Sequence, residues 1–554
     1  MRQFYTILTF VFLLPIALPG QKTVGLLSYE PSLAYDGYNL MYPHNQPNVY
    51  LFNNCGEIVH VWEDSIDLSP GNTAYLLEDG RLVKTKRPNI VANDRIWAGG
   101  GGATVEIRDW DNNLMWSFTL NNDTARLHHD IEVMPNGNIL MIGWEIQTLE
   151  EAIAAGRDSM LLDNGELWTD FVIEVNPELD SIVWEWHVWD HIIQDFDSTK
   201  ANYGVVADHP ELLNVNFARD GVANWQHTNA ISFNSDLNQI ALSSPFLSEI
   251  YIIDHSTTTQ QAAGHVGGLG ARGGDFMYRW GNPQAYDQGT ADDQVSFFQH
   301  DVHWLEDFIE PSHPLYGKLV VFNNNFVEGE YSTVSVIDQP WDMYTWSYLL
   351  EEGKWGPVDY EVNFTHPDTG KMYSNGLSSV QLLPNDNYLV CVGATGYSFE
   401  ITPEREIVWE YVTPLLDGQR VTQGDSLEVR DNITFRIKRY PTGYPAFADR
   451  DLSAKFYLEL NPDTAFCDMI TAVREENSGT SLSIFPNPAR DFIQVNSELS
   501  RIGEVSIYNL QGQLVKLVPA NPYRDTPIDI SQLLPGIYVV RSQENHIGKL
   551  VVQQ

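Results

Sequence analysis

The chain has 554 residues, 43% hydrophobic and 12% aromatic, with 16 Trp and 26 Tyr; this is the composition of a packed globular protein and excludes a disordered one. Its 32 basic and 74 acidic side chains give a formal net charge of -42, which repels nucleic acid and anionic lipid and excludes both as partners. The length is too great for one ordinary core and suits a large domain followed by a smaller one.

Residues 1–20 read as a secretory signal peptide. Arg2 supplies the positive start, Phe4 to Ala17 the apolar run, and Pro19-Gly20 the break. The run is short for a membrane span of about 20 residues. No later segment is longer and as apolar, so no membrane span is expected in the mature protein. Of the three cysteines, Cys391 sits in an apolar strand pattern and reads as a plain buried thiol. Cys55 and Cys467 lie near the two ends of the large domain, where a bridge would clasp those ends.

From about residue 37 one pattern recurs: an apolar strand, a turn, an alternating strand, then a Gly or charged turn and a strand ending in Trp. The copies run Gly37 to Trp62, Glu78 to Trp116, Pro135 to Trp186 and Pro384 to Tyr411, with Ser235 to His255 and Gly317 to Asp338 as weaker copies. Each copy has strand periodicity and turn residues at fixed places. Such a unit cannot bury both faces alone, but radial stacking can. The expected fold is therefore all-β, a six-bladed β-propeller over residues 21–472. A run of β-sandwich modules is the alternative. One insertion is helical: "TLEEAIAAG" offers Thr148 as N-cap, Glu151 three residues on, and Gly156 as a stop.

Three histidine motifs open strands at the same phase of their repeats. They are His128-His129-Asp130; His227 with Asn229; and Gln299-His300-Asp301 with His303. A lone histidine before a strand is ordinarily a hydrogen-bonded structural residue. Three at one phase of a propeller can converge on its central channel. His187 and His191 have the spacing of a helical metal pair, but they follow a strand and read as loop packing. Asp190, Asp195 and Asp197 do not match a calcium loop.

"HHDIEVMPNGNIL", "HTNAISFNSDLNQIALSS", "QHDVHW" with "LVVFNNN", and "SSVQLLPNDNYLVCVGATGYSFEITPEREIVWEY" resemble the bacterial arylsulfate sulfotransferases. The resemblance implies a six-bladed propeller with its site in the channel. It implies a PAPS-independent, ping-pong transfer of a sulfuryl group from a small aryl sulfate to a phenolic acceptor, with no cofactor and no metal. His300 matches the nucleophile, with His227 and His129 as catalytic partners. Asn229, His128, Arg279 and Asn323 are substrate-binding candidates. Better-known members carry an arginine after the Ser243-Ser244 position, where this chain has Pro245; Arg272 and Arg279 are the nearest replacements in sequence, and Arg279 is preferred. Two other readings stand beside this one. The first is a metal-dependent hydrolase or lyase using His129, His227, His300 and His303. The second is a non-catalytic surface propeller that binds glycans or aromatics.

The polar stretch "REENSGTS" marks a linker at residues 473–480. Beyond it, residues 481–554 read as a small β-sandwich. "FPNPARD", "IYNLQGQLV" and "LPGIYVVR" resemble the C-terminal sorting domain of type IX secretion in Bacteroidetes. That implies the secretion machinery as a partner, and a secreted or outer-membrane-surface location.

Overall fold

The computed structural model describes residues 22–91, 93–217, 221–464, 467, 482–496, 504–509, 514–519, 527–542 and 547–553. The signal-peptide segment and the linker 473–480 lie outside them. Two compact units divide between Pro462 and Asp463.

The larger unit is nearly all strand and carries six sheets of four or five strands, with a few two-stranded ribbons. We number the six I to VI along the chain. Sheets II to V begin with Leu68–Leu76, Ala125–Val133, Ala230–Asn234 and His300–Trp304, and each continues with its next strands in antiparallel order. Sheet VI begins with Ser379–Leu382 and takes its fifth, outermost strand, Gly25–Tyr29, from the N-terminal end. Sheet I takes its first strand, Thr434–Pro441, from the far end of the unit and pairs it with Gly37–Pro43. Strands from both chain ends thus complete sheets begun at the other. The first strands pack in sequence: I on II, II on III, III on IV, IV on V, V on VI, and VI back on I.

Each repeat read from the sequence falls on one sheet. The repeat frame nevertheless misses the first strand of each sheet, which lies ahead of the "PNGN"-type turn and faces the neighbouring first strands. The middle strands are apolar on both faces because sheets cover both sides. Ile139–Thr148 and Glu166–Asn176 pair over ten residue positions, and Ile139 to Trp144 are all buried.

Trp side chains on the outer part of the sheets have a physical role. In sheets I to IV and VI an indole N–H reaches the following sheet. Trp62 of sheet I donates to the Asp109 carbonyl in II at 3.2 Å, and Trp116 of II to Asp180 Oδ1 in III at 3.1 Å. Trp186 of III donates to the Gly274 carbonyl in IV at 2.8 Å, and Trp280 of IV to the Pro357 carbonyl in V at 2.9 Å. Trp409 of VI returns to the Asn54 carbonyl in I at 2.8 Å. A large ring fills the gap between sheets while its polar edge satisfies a carbonyl that would otherwise be orphaned.

Helix Leu149–Ala154 is capped as its sequence demands. Thr148 and Glu151 form the reciprocal capping box, and Gly156 follows at φ 97°. Cys391 is a buried free thiol, and Cys55 and Cys467 are both disulfide-bonded. The smaller unit carries a three-stranded and a four-stranded sheet, with Ile493, Ile507, Ile530, Val540 and Leu550 buried among its strands. Among the described residues no helix is long and apolar enough to cross a membrane.

Candidate active site

The first strands of the sheets are not regular at the end that carries the histidines. Pairing slips within Ala125–Val133 and within His300–Trp304. His129, His227 and Asp301 take left-handed backbone conformations, φ 50°, 60° and 61°. Such bulges re-aim side chains that a regular pleat would send into the sheet-packing layers.

The result is a ring of imidazole and phenyl groups. His129 and His227 lie 4.5 Å apart between ring centroids, nearly perpendicular. Phe246 stacks on His227 at 4.4 Å, Phe298 lies 5.3 Å from Phe246, and His300 lies 6.4 Å from Phe298. Phe435, from the strand that completes sheet I, closes the ring at 6.2 Å from His129 and 6.4 Å from His300. His129 is 3% and His300 4% exposed. The three histidines singled out in the sequence therefore meet.

The proton position on His300 is fixed by its partners. Its Nδ1 lies 2.8 Å from Asn324 Oδ1 and 3.2 Å from the Phe298 carbonyl. The Asn324 amide cannot be turned round, because its Nδ2 donates to the Ser374 and Leu377 carbonyls at 2.9 and 3.0 Å. Both partners of Nδ1 are acceptors, so Nδ1 carries the hydrogen and Nε2 keeps a lone pair. Burial pushes the His300 pKa down to about 4, so the ring is neutral at pH 7.

His128 is a support for His129. It stacks on Trp144 at 3.9 Å, its Nδ1 lies 2.9 Å from His129 Nδ1, and its Nε2 lies 3.3 Å from Asp170 Oδ1. Burial, reinforced by the neighbouring histidines, holds His129 well below the ordinary histidine range. The Asn224 amide nitrogen lies 2.7 Å from His227 Nδ1. With that amide donating, the His227 hydrogen sits on Nε2. Gly100 lies flat over His129; a Cβ there would stand 1.9 Å from its Nε2.

Immediately beside the histidine layer, Arg436 joins two carboxylates from different sheets, at 2.9 Å to Asp130 and 2.6 Å to Asp301. Burial pushes Asp130 up to about 8 and Asp301 well above the carboxylate range. On the other side of this layer lies a cavity of about 310 Å³, lined by Asp301, His303, Glu132, Lys438 and Arg436. His303 therefore faces a different space from His300. Among the described residues, the ring nitrogens of His129, His227 and His300 do not form a metal-ligating set.

Three of the remaining sequence candidates are placed otherwise than expected. Arg279 is fully buried in the outer strand of sheet IV, where it forks onto Glu249 at 2.6 and 3.0 Å and donates to the Pro210 and Leu212 carbonyls. Its charge is spent on packing, and it does not join the histidine ring. Asn323 holds the backbone of Phe297 and Val295; the adjacent Asn324 is the one that meets His300. Asn229 donates to the Gln299 carbonyl at 2.8 Å, bracing the strand entrance beside His300. Arg87 and Arg430 both act electrostatically on buried His44, which in turn acts on His129. Arg430 donates to Asn375 Oδ1 at 3.2 Å, and a Cβ on the next residue, Gly376, would stand 3.9 Å from the His300 ring. One signal for Asn324 was open to sequence reasoning: strand alternation puts it on the same face as Phe322, which the structure pairs with His300.

The arylsulfotransferase (ASST) family matches residues 44–425, a stretch that holds all three ring histidines. The chain belongs to the arylsulfotransferase family. It is thereby a sulfotransferase acting on small molecules. A secretion-system C-terminal sorting domain matches residues 483–553 and directs this arylsulfotransferase to the cell surface or outer membrane. No curated protein matches the sequence. Solved structures similar to it include a Bacteroides caccae protein of unknown function, at 9% identity and TM-score 0.37, covering 68% of this chain and 93% of that one. Another is a catalytically inactive virginiamycin B lyase from Staphylococcus aureus with quinupristin, at 11% identity and TM-score 0.32, covering 74% and 98%.

Proposed function

We propose that this arylsulfotransferase carries a sulfuryl group from an aryl sulfate to a phenol by way of a sulfohistidine at His300. The observation that carries the reading is the hydrogen-bonded state of His300. Its Nδ1 is tied to Asn324 and Phe298, which leaves Nε2 as a neutral nucleophile in a ring of aromatic side chains.

In the first half-reaction Nε2 attacks sulfur, the S–N bond forms and the aryl S–O bond breaks. His227 Nε2–H, the tautomer that the Asn224 contact favours, donates a hydrogen bond to the oxygen of the departing phenolate. In the second half an acceptor phenolate held by the same N–H attacks sulfur, the S–N bond breaks, and His300 returns to its neutral form. The two halves share one site, so the kinetics are ping-pong and no nucleotide-activated sulfate is needed. Phe246, Phe298 and Phe435 supply faces for the aryl rings. Arg87 and Arg430 take the anion-orienting part proposed from sequence for Arg279.

The scaffold we infer for the larger unit, which ends at Pro462, is a closed six-bladed propeller. The unbroken circuit of first-strand packing and the relay of Trp N–H groups support closure.

The test is incubation with 4-nitrophenyl sulfate, with and without added phenol, for wild type and His300→Ala. Phenol-dependent nitrophenol release that vanishes in the variant supports the reading. Release that survives His300→Ala overturns it.

A further inference from the structure

Away from the histidine ring, two loops bring a second set of ligand atoms together. His191 follows the outer strand of sheet III, and His265 and Asp275 lie in the glycine-rich connection before Tyr278–Trp280 of sheet IV. His191 Nδ1 and His265 Nδ1 lie 2.7 and 2.8 Å from the same oxygen, Asp275 Oδ1. All three ligand atoms fall within 4.8 Å of one another.

The remaining contacts fit cation binding. His191 Nε2 lies 2.7 Å from the Ala262 carbonyl. A carbonyl only accepts, so Nε2 carries a hydrogen. Nδ1 then faces a carboxylate oxygen, which also only accepts. A neutral His191 has no second hydrogen to place there, so the contact calls for an imidazolium or a bound cation. A ring whose far nitrogen is held by a backbone carbonyl is also the usual arrangement of a metal-ligating histidine. His191 and Asp275 are buried, and the His191 ring stacks on Trp186 at 5.7 Å and 5°. Gly274 is needed for the approach, since a Cβ there would stand 2.6 Å from His191 Nε2 and 2.0 Å from the Ala262 carbonyl. The His265 side chain is 60% exposed and gives the pocket an opening to solvent.

The geometry points to a divalent transition-metal site, of the zinc class, formed by His191, His265 and Asp275. Two imidazole nitrogens and one carboxylate oxygen suit zinc and disfavour calcium or magnesium, which take oxygen ligands. The ion replaces the hydrogens between the rings and the carboxylate and clasps the glycine-rich loop of sheet IV to the turn after sheet III. It takes no part in sulfuryl transfer.

The test uses the full chain, purified without a histidine tag, stripped with EDTA and titrated with ZnCl2. Calorimetry and elemental analysis give the stoichiometry, and thermal unfolding with and without zinc gives the linkage. One zinc per chain and a raised unfolding temperature are expected. His265→Ala, which removes an exposed ring, leaves the EDTA-treated fold intact and weakens zinc binding by more than about 100-fold, since losing even an outer partner of a ligand costs roughly 10- to 100-fold. Asp275→Asn weakens it as well, while His300→Ala leaves one zinc bound. The proposal is overturned if wild type takes up no zinc, if His265→Ala binds it as tightly as wild type, or if His300→Ala abolishes binding.

Discussion

Asn324 Oδ1 lies 2.8 Å from His300 Nδ1, and the Asn324 amide is itself locked by two backbone carbonyls. That lock decides which nitrogen of His300 is free to react. Asn324→Leu removes the acceptor and lets the ring turn, so kcat falls by about 10²-fold, the cost of misplacing a reacting group by about 1 Å. Steady-state kinetics with 4-nitrophenyl sulfate check this, with unfolding temperature as the control. An unchanged kcat in a folded variant would remove Asn324 from the account.

In the proposed mechanism His227 assists the leaving group, so the effect of its loss depends on what leaves. His227→Ala slows transfer from phenyl sulfate, whose phenolate is basic, by about 10²-fold or more. Transfer from 4-nitrophenyl sulfate falls much less. Equal losses with both donors would assign His227 to binding instead.

The pH profile follows from burial. The His300 pKa is depressed to about 4, so the nucleophile stays neutral as pH falls from 7 and is protonated only near pH 4. Activity measured in short assays holds to about pH 5 and drops below it. An acid limb at the ordinary histidine value, about 6.5, contradicts this placement. His44, His60, His300 and His303 are all depressed to about 4. The unfolded chain binds their protons from about pH 6.5 downward while the folded chain does not, so their contribution to the unfolding free energy falls as pH drops from about 6.5 to 4. Buried Asp130, raised to about 8, contributes with the opposite sign. Denaturant titrations at stepped pH on wild type and His60→Gln read the histidine part: the pH dependence shrinks when the ring is removed.

The proposed reading gives anion handling to Arg430 and not to Arg279. Arg430→Ala raises the KM for an aryl sulfate by roughly two- to fivefold, the worth of an exposed ion pair of about 0.4–1 kcal/mol. At a net charge of -42 the protein repels its donor at long range, so moderate salt raises kcat/KM in wild type. A steep fall of kcat/KM with added salt would count against both statements.

Trp409→Phe tests ring closure. It keeps the apolar bulk but strips the donor from the Asn54 carbonyl, which costs about 1–3 kcal/mol of stability. Urea titration of the full chain measures it; a change below about 0.5 kcal/mol would make that bond incidental.

The repeats were legible because a strand that packs between two sheets must be apolar at a period the sequence shows directly. The histidine motifs were legible because they recur at one phase of that period. The recurring Trp was visible as a pattern, but its partner on the next sheet was not. The expectation for Arg279 failed because a sequence does not show that Glu249 stands opposite it and takes its charge. The reading of His191 as plain loop packing did not see His265 and Asp275 converge on it, since that depends on two loops from different sheets.

The sequence by itself determined the all-β class, the sixfold repeat, the separate sorting domain and the three histidines, because periodicity, turn chemistry and motif phase are local properties of the chain. Only the tertiary structure decided that Thr434–Pro441 completes sheet I, that Phe435 stands between His129 and His300, and that Asn324 sets the His300 proton. Those are meetings between residues far apart in the chain. Bulged strand ends and packed sheets fix such meetings, and no local pattern records them.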